Sequence, residues 1–147
     1  MSPSLTLHRA DEAGALDYVE RLLSRADLPT ADVREQAGAF RVATVAGERV
    51  GVGGVERHGR DGLVRSVVVE PSARGQGVGA ALVAALADEV RAAGVERLFA
   101  LTTDAAAFLA AQGFEPVARE SVPERIRGTA QFASLCPDSA TVMRRSA

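Results

Sequence analysis

The chain has 147 residues, 47% of them hydrophobic and 24% charged, with a formal net charge of -2. These numbers predict one ordinary globular domain over residues 1–147 with a sizeable core, and the slight acidity argues against nucleic acid or an anionic membrane as the main partner. A single cysteine, Cys136, excludes an internal disulfide and any multi-cysteine metal site; with no charged leader and no apolar run of membrane length, a cytoplasmic protein without a metal is expected.

In chain order, residues 4–9 alternate Leu5 and Leu7 against Thr6 and His8, which predicts a first strand. Asp11 is expected to cap a helix over residues 12–26, where Leu16, Val19, Leu22, Leu23 and Ala26 share one face and Tyr18 packs beside them. Residues 29–39 are short and polar apart from Val33, so they form a marginal helix or a loop over a cleft. Residues 40–45, 49–57 and 62–69 then read as three strands, joined by Ala46-Gly47 and by a turn at residues 59–62. Gly51, Gly53 and Gly54 weaken the middle strand, marking bulges, twist or a closely approaching ligand.

The third strand ends in Val67, Val68 and Val69, and Pro71 stops it. Leu82, Val83, Leu86 and Val90 recur at helical spacing until Gly94. Between strand and helix, Gly75, Gly77 and Gly79 remove every second side chain, which lets several backbone N–H groups at a helix start meet one anion; Arg74 adds a guanidinium at the lip. Residues 97–101 form a strand parallel to the 62–69 strand, closing a right-handed βαβ unit. A short helix with Ala107, Phe108 and Ala111 inward, a strand after Gly113-Phe114, a brief helix at residues 122–127 and a last strand at 141–144 complete the pattern.

A phosphate-binding turn does not choose its ligand. Gly75, Gly77 and Ala80 also satisfy the dinucleotide pattern, but there the strand should run straight into the first glycine and a second βαβ unit should follow, and neither condition holds. A nucleoside triphosphate loop needs Gly-Lys-Ser/Thr, and the chain contains no lysine. The remaining pattern, V-x-P-x-x-R-G-Q-G-V-G, resembles the acetyl-coenzyme A signature of the GNAT superfamily of N-acetyltransferases, with Arg74, Gly77 and Gly79 at its three defining positions. The resemblance implies an α/β fold: a mixed, mostly antiparallel sheet of six to seven strands with helices on both faces. It further implies acetyl-CoA as co-substrate, held by Val67, Val68, Val69, Arg74, Gly75, Gln76, Gly77, Val78, Gly79 and Ala80, with the Val69 amide polarising the thioester carbonyl. GNAT domains often pair, which leaves a homodimer open beside a monomer.

Acetyl transfer to an alkylamine, whose pKa is about 10, needs a base or a water relay at neutral pH. Arg65 interrupts an apolar strand and by parity shares a face with Val67 and Val69, where it could hold an acceptor carboxylate. If the turn loops out residues 59–62, Glu56 lies opposite Arg65 and becomes the base; the duller alternative is a cross-strand salt bridge at a sheet edge. Glu70 reads as a solvated turn residue, and His58 and His8 as surface groups. Many GNAT enzymes carry a tyrosine four residues before the glycine of Gly-Phe to protonate the thiolate; here that position is Leu109, so the general acid is unassigned.

Glu56, Leu63-x-Arg65-Ser66, Leu101-Thr102-Thr103, Gly113-Phe114, Pro123-x-x-Ile126-Arg127-x-Thr129 and the stretch from Phe132 to Ala140 are together similar to the arsenic-resistance N-acetyltransferases, distantly like N-acetylglutamate synthase domains. That likeness implies a small amino-acid-like amine acceptor, an arsenical among the candidates, with Ser66 and Thr102 beside Arg65 in its site. A protein or peptide N-acetyltransferase and a non-catalytic acetyl-CoA sensor are the rival readings. Cys136 alone cannot chelate arsenite and reads as a small buried apolar residue.

Overall fold

Hydrophobic side chains at alternating or helical spacing give each segment one face to bury, and strands and helices form where that face finds a partner. The structure, a computed structural model, describes residues 4–10, 13–129, 132 and 140–147. Its strands are β1 (Leu5–Arg9), β2 (Phe40–Val45), β3 (Glu48–His58), β4 (Asp61–Val69), β5 (Arg97–Thr102), β6 (Glu115–Pro116) and β7 (Thr141–Ser146). Its helices are α1 (Ala13–Arg25), α2 (Val78–Ala92), α3 (Ala106–Ala111) and α4 (Glu124–Arg127). The expected cap Asp11 and the predicted burial of Cys136 fall outside the described residues.

The strands form a seven-stranded sheet in the order β1-β2-β3-β4-β5-β7-β6. It is mixed: β4 and β5 run parallel, pairing Asp61 with Arg97 and Val64 with Ala100, while β1–β2, β2–β3, β5–β7 and β6–β7 are antiparallel. No helix among the described residues is long and apolar enough to cross a membrane.

Packing divides the chain into two compact units, Met1–Val55 with Ser66–Leu86, and Glu56–Arg65 with Ala87–Ala147. In the first, Leu16, Val19, Leu22 and Leu23 of α1 pack with Phe40, Val42, Val52 and Val68. Val33 joins them fully buried, which pins the polar segment before β2; that segment forms turns and a 3-10 turn, Ala37–Ala39, rather than a helix. The three glycines of β3 answer to the protein's own packing. A Cβ at Gly51 would stand 2.6 Å from the Val68 carbonyl oxygen, one at Gly53 3.0 Å from Leu86, and one at Gly54 3.0 Å from the Ala39 carbonyl oxygen. Of the readings offered for these glycines, a bulge is present, since the β2–β3 register shifts between Ala43 and Thr44 beside Gly51, and what approaches the strand closely is backbone and helix.

In the second unit Leu63, Phe99, Val122, Ile126 and Val142 make the core. Helix α3 corrects one expectation. Its buried residue is Leu109, at 7% exposure, while Ala107, Phe108 and Ala111 are all exposed, because so short a helix presents one inward row and Leu109 takes it.

The hairpin joining β3 to β4 is tighter than predicted. Only Gly59 and Arg60 separate the strands, and Gly59 adopts φ 68°, as the first position of a two-residue turn of the primed type requires. At the other end of the pair the Glu70 N–H donates to the Val50 carbonyl at 2.8 Å, so β4 uses one residue more than β3 over the same stretch. Ser66, inside β4, has φ 59°, the left-handed conformation that absorbs an extra residue as a bulge. Beyond it Val68 joins the α1 cluster, whereas Val67 meets Gly53 on the side of Leu82 and Leu86. Simple alternation from Arg65 through Val67 to Val69, as expected from parity, is therefore broken at Ser66.

Gly51→Ala puts a methyl against backbone that has no rotamer to escape into; it should cost roughly 2 kcal/mol and lower the thermal midpoint by about 5 °C or more. Gly14→Ala, with nothing within 4 Å of its Cβ, should leave the midpoint unchanged or raise it slightly. Thermal unfolding of the two variants side by side checks the comparison.

Candidate functional site

The glycine-rich turn lies wholly in the first unit. After β4, Pro71–Ala73 makes a single 3-10 turn, Arg74 is extended, and Gly75 and Gly77 take φ 80° and 78° before α2 begins at Val78. Ala81 supplies the first helical bond, donating to the Gly77 carbonyl at 3.1 Å. Val78, Gly79 and Ala80 therefore occupy the first turn of a 15-residue helix, where amides lack helical acceptors and the dipole is positive. Nothing lies within 4 Å of where a Cβ at Gly75 would stand. Arg74, Gly75, Gln76 and Gly77 are exposed, Val78 is buried, and Arg74 Nε donates to the Val69 carbonyl at 3.4 Å. A bare, exposed turn leading into the first-turn amides of α2 suits a phosphate group.

The second unit holds Glu56 and Arg65. Arg65 Nη1 donates to Glu56 Oε2 at 3.2 Å, and both residues are buried, at 3% and 4% exposure. Although the turn is two residues rather than four, the side chains still meet: a register change of two residues keeps the face, whereas a change of one would have split them. This is not the solvated pair of a sheet edge, because the arginine side chain has no exposed surface. His58, two residues beyond Glu56 and so on the same face of β3, has Nε2 3.8 Å from Glu56 Oε1. That nitrogen is buried and has no hydrogen-bond partner among the described residues.

Sequence reasoning set His58 aside as a surface group; Glu-x-His on one strand was the signal that could have found it. Thr102 Oγ1 accepts the Ala105 N–H at 2.7 Å and the Asp104 N–H at 3.3 Å, so its oxygen shapes the turn before α3. Ser66 is half-buried in the bulge. Leu109, at the position where a tyrosine was anticipated, belongs to the core.

Glu70 also departs from expectation. Tyr18, the only tyrosine, donates to Glu70 Oε1 at 2.7 Å, and Arg49 stacks over its ring at 4.8 Å. Burial first, and then the bond to the Glu70 carboxylate, holds the phenol above its usual pKa, so the proton stays on the oxygen at neutral pH. Among the described residues, no group of three His, Cys, Asp or Glu is placed to hold a metal ion.

Comparison with known proteins places these features in a family. A model described as an acetyltransferase (GNAT) domain matches residues 36–116. The amino-acid acetyltransferase of Neisseria meningitidis serogroup A is 35% identical over 66 residues, which is 45% of this chain and 15% of that protein; the chain thus spans a small part of its curated relative. Among solved structures, N-acetylglutamate synthase from Neisseria gonorrhoeae, complexed with coenzyme A and L-arginine, superposes with a TM-score of 0.81 at 21% identity over 99% of this chain and 34% of that one. Rv2747 from Mycobacterium tuberculosis, crystallised with CoA, gives 0.78 at 23% identity over 97% of this chain and 99% of that one. At such identities the two structures speak for the fold. The family model reaches from the end of the segment before β2 to β6, more than half of the chain, and takes in the glycine-rich turn, α2, Glu56 and Arg65: the protein belongs to the GNAT acetyltransferase domain family.

Proposed function

We propose that the protein transfers the acetyl group of acetyl-CoA to the amine of a small amino-acid-like acceptor. The observation that carries this reading is the turn from Arg74 to Ala80, whose left-handed glycines open onto the first-turn amides of α2. The residues fit the co-substrate. Arg74 and the amides of Gly77, Val78, Gly79 and Ala80 would hold its pyrophosphate, and the half-buried backbone at Val67 and Val69 would pair with its pantetheine arm. When bound, acetyl-CoA supplies an acetyl group activated as a thioester.

The rest of the chemistry belongs to the chain. An acceptor ammonium must lose a proton before its nitrogen can attack, and Glu56 is the base we assign, acting directly or through one water. Arg65 orients that carboxylate by donating from Nη1 to Oε2, and Oε1 is the oxygen we assign to the proton. Its full burial supports this positioning role better than the expected capture of an acceptor carboxylate. The small acceptor is supported by the amino-acid acetyltransferase similar over 66 residues. An amine-bearing arsenical stays in the acceptor panel on the strength of the sequence resemblance alone.

Release of free thiol from acetyl-CoA, above the rate without amine, is the direct test across a panel of amino acids, short peptides and amine-bearing arsenicals. Turnover with amino acids supports the proposal; turnover with peptides only would transfer it to peptide acetylation, and none at all would leave a sensor. Glu56→Gln should lower kcat at neutral pH about 10²-fold, the loss shrinking as pH rises and the amine deprotonates unaided. Glu56→Asp, which keeps a charge for Arg65, should fall between, separating chemistry from any effect on folding. An unchanged rate for Glu56→Gln at neutral and high pH alike would remove the base.

Gly77→Ala forces a side chain into φ 78° at the mouth of the turn, and should raise KM for acetyl-CoA by roughly tenfold with a smaller change in kcat. Steady-state kinetics with acetyl-CoA varied will tell; a KM like that of the wild type would dismiss the turn as the phosphate site.

A further inference from the structure

Conversion of an ammonium acceptor into an amide removes two protons from nitrogen. The departing thiolate takes one, so one proton per turnover must reach solvent. Under the proposed reaction that proton arrives on Glu56, which is 4% exposed and has Oε2 engaged by Arg65. A buried acid with one oxygen occupied needs an exit from the other.

We infer that His58 is that exit: a relay residue that takes the proton from Glu56 Oε1 at its Nε2 and passes one to water. Three observations meet on this side chain. Its Nε2 is 3.8 Å from Glu56 Oε1, while Arg65 Nη1 donates to the other oxygen, Oε2. The same nitrogen is buried without a hydrogen-bond partner among the described residues, so no other group competes for it. Yet the side chain as a whole is 28% exposed, so the ring reaches solvent while its nitrogen faces the carboxylate. A closing of about 1 Å brings the pair to hydrogen-bond distance.

The step balances. The O–H bond at Oε1 breaks as an N–H bond forms at Nε2, the Nδ1–H bond of the imidazolium then breaks with its proton going to water, and an outward turn of the ring that exchanges the Nε2 proton for one on Nδ1 through solvent resets the relay, with carboxylate and neutral ring restored. Around the hairpin that carries His58, the charged groups besides Glu56 on β3 and Arg65 on β4 include Arg125 of α4, whose Nη1 lies against Gly59, and Asp61, held by Arg97 Nε at 2.9 Å. None of these offers a route out: the arginines do not give up protons and Asp61 is itself paired.

This inference rests on Glu56 being the base, and the test separates the two. His58→Gln and His58→Ala are assayed with acetyl-CoA and the amino acid selected by the panel, first in dilute buffer and then with increasing imidazole, each rate corrected for the enzyme-free reaction. Both variants should lose about tenfold or more in kcat in dilute buffer, keep their KM for acetyl-CoA and their thermal midpoint, and regain rate as imidazole rises. Wild-type kcat should be flat across the same series. A slow variant that ignores imidazole, or a variant as fast as wild type in dilute buffer while Glu56→Gln is slow, would overturn the relay and leave the base standing. Should Glu56→Gln itself be fast, or no amino acid turn over, the relay falls together with the reading beneath it.

Discussion

A carboxylate and a guanidinium taken out of water together constrain the hairpin of the second unit. Desolvating each ion costs several kcal/mol, and the cost is recovered only if the two stay in register; removing one partner typically costs about 3–5 kcal/mol because the other is left charged and buried. Glu56 and Arg65 meet at 3.2 Å across a hairpin whose loop is two residues long. A loop of odd length change would turn one of them to the opposite face. The tight turn at Gly59 is thus tied to the ion pair, and its φ of 68° makes any other residue there strained, even though the nearby Arg125 guanidinium could swing aside. A buried pair is weak evidence for stability, since a well-packed apolar pair often does as well. Under the proposed reaction the pair has a second use, since the guanidinium orients the carboxylate that serves as base.

Strand β4 answers two demands that a regular strand cannot meet at once. Up to Arg65 its register is set by the turn and by the parallel pairing with β5; after Ser66 it must deliver Val68 to the α1 cluster and Glu70 to Val50. One extra residue reconciles them, at the cost of a serine with φ 59°, of order 1 kcal/mol for a residue other than glycine. The glycines of β3 are the counterpart, since the Val68 carbonyl, Leu86 and the Ala39 carbonyl stand where their side chains would be. Sheet irregularity and missing side chains are one packing solution.

Much of this was legible in the chain before any coordinates. Strand β2 and the parallel unit from β4 through α2 to β5 followed from hydrophobic period, and the phosphate turn from three spaced glycines and an arginine. What was not legible was long-range. The bulge at Ser66 carries no sequence mark, because neither glycine nor asparagine stands there. Glu70 looked like a turn residue, since its partner Tyr18 is 52 positions away and satisfies it by packing rather than by pattern. Phe108 was expected inward with Ala107 and Ala111 by helical spacing, but the row that faces the core is the one through Leu109, and spacing alone does not say which row of so short a helix turns inward. The Glu56–Arg65 pair was legible for a reason sturdier than the loop guess: any even change of loop length preserves it.

The histidine illustrates how burial of an atom differs from burial of a residue. By residue, His58 is half-exposed and unremarkable; by atom, one nitrogen is shut away 3.8 Å from a carboxylate while the ring still reaches water. A buried polar atom without a partner normally costs about 1–3 kcal/mol, and a small rotation outward would relieve it. Under the proposed relay that nitrogen is kept for Glu56 Oε1, the oxygen on the far side of the carboxylate from the bond to Arg65 Nη1. Where a reaction must export a proton from a buried acid, that is the arrangement required: one ring atom facing the acid, the rest of the ring facing solvent, and a neighbouring guanidinium that fixes which carboxylate oxygen takes part.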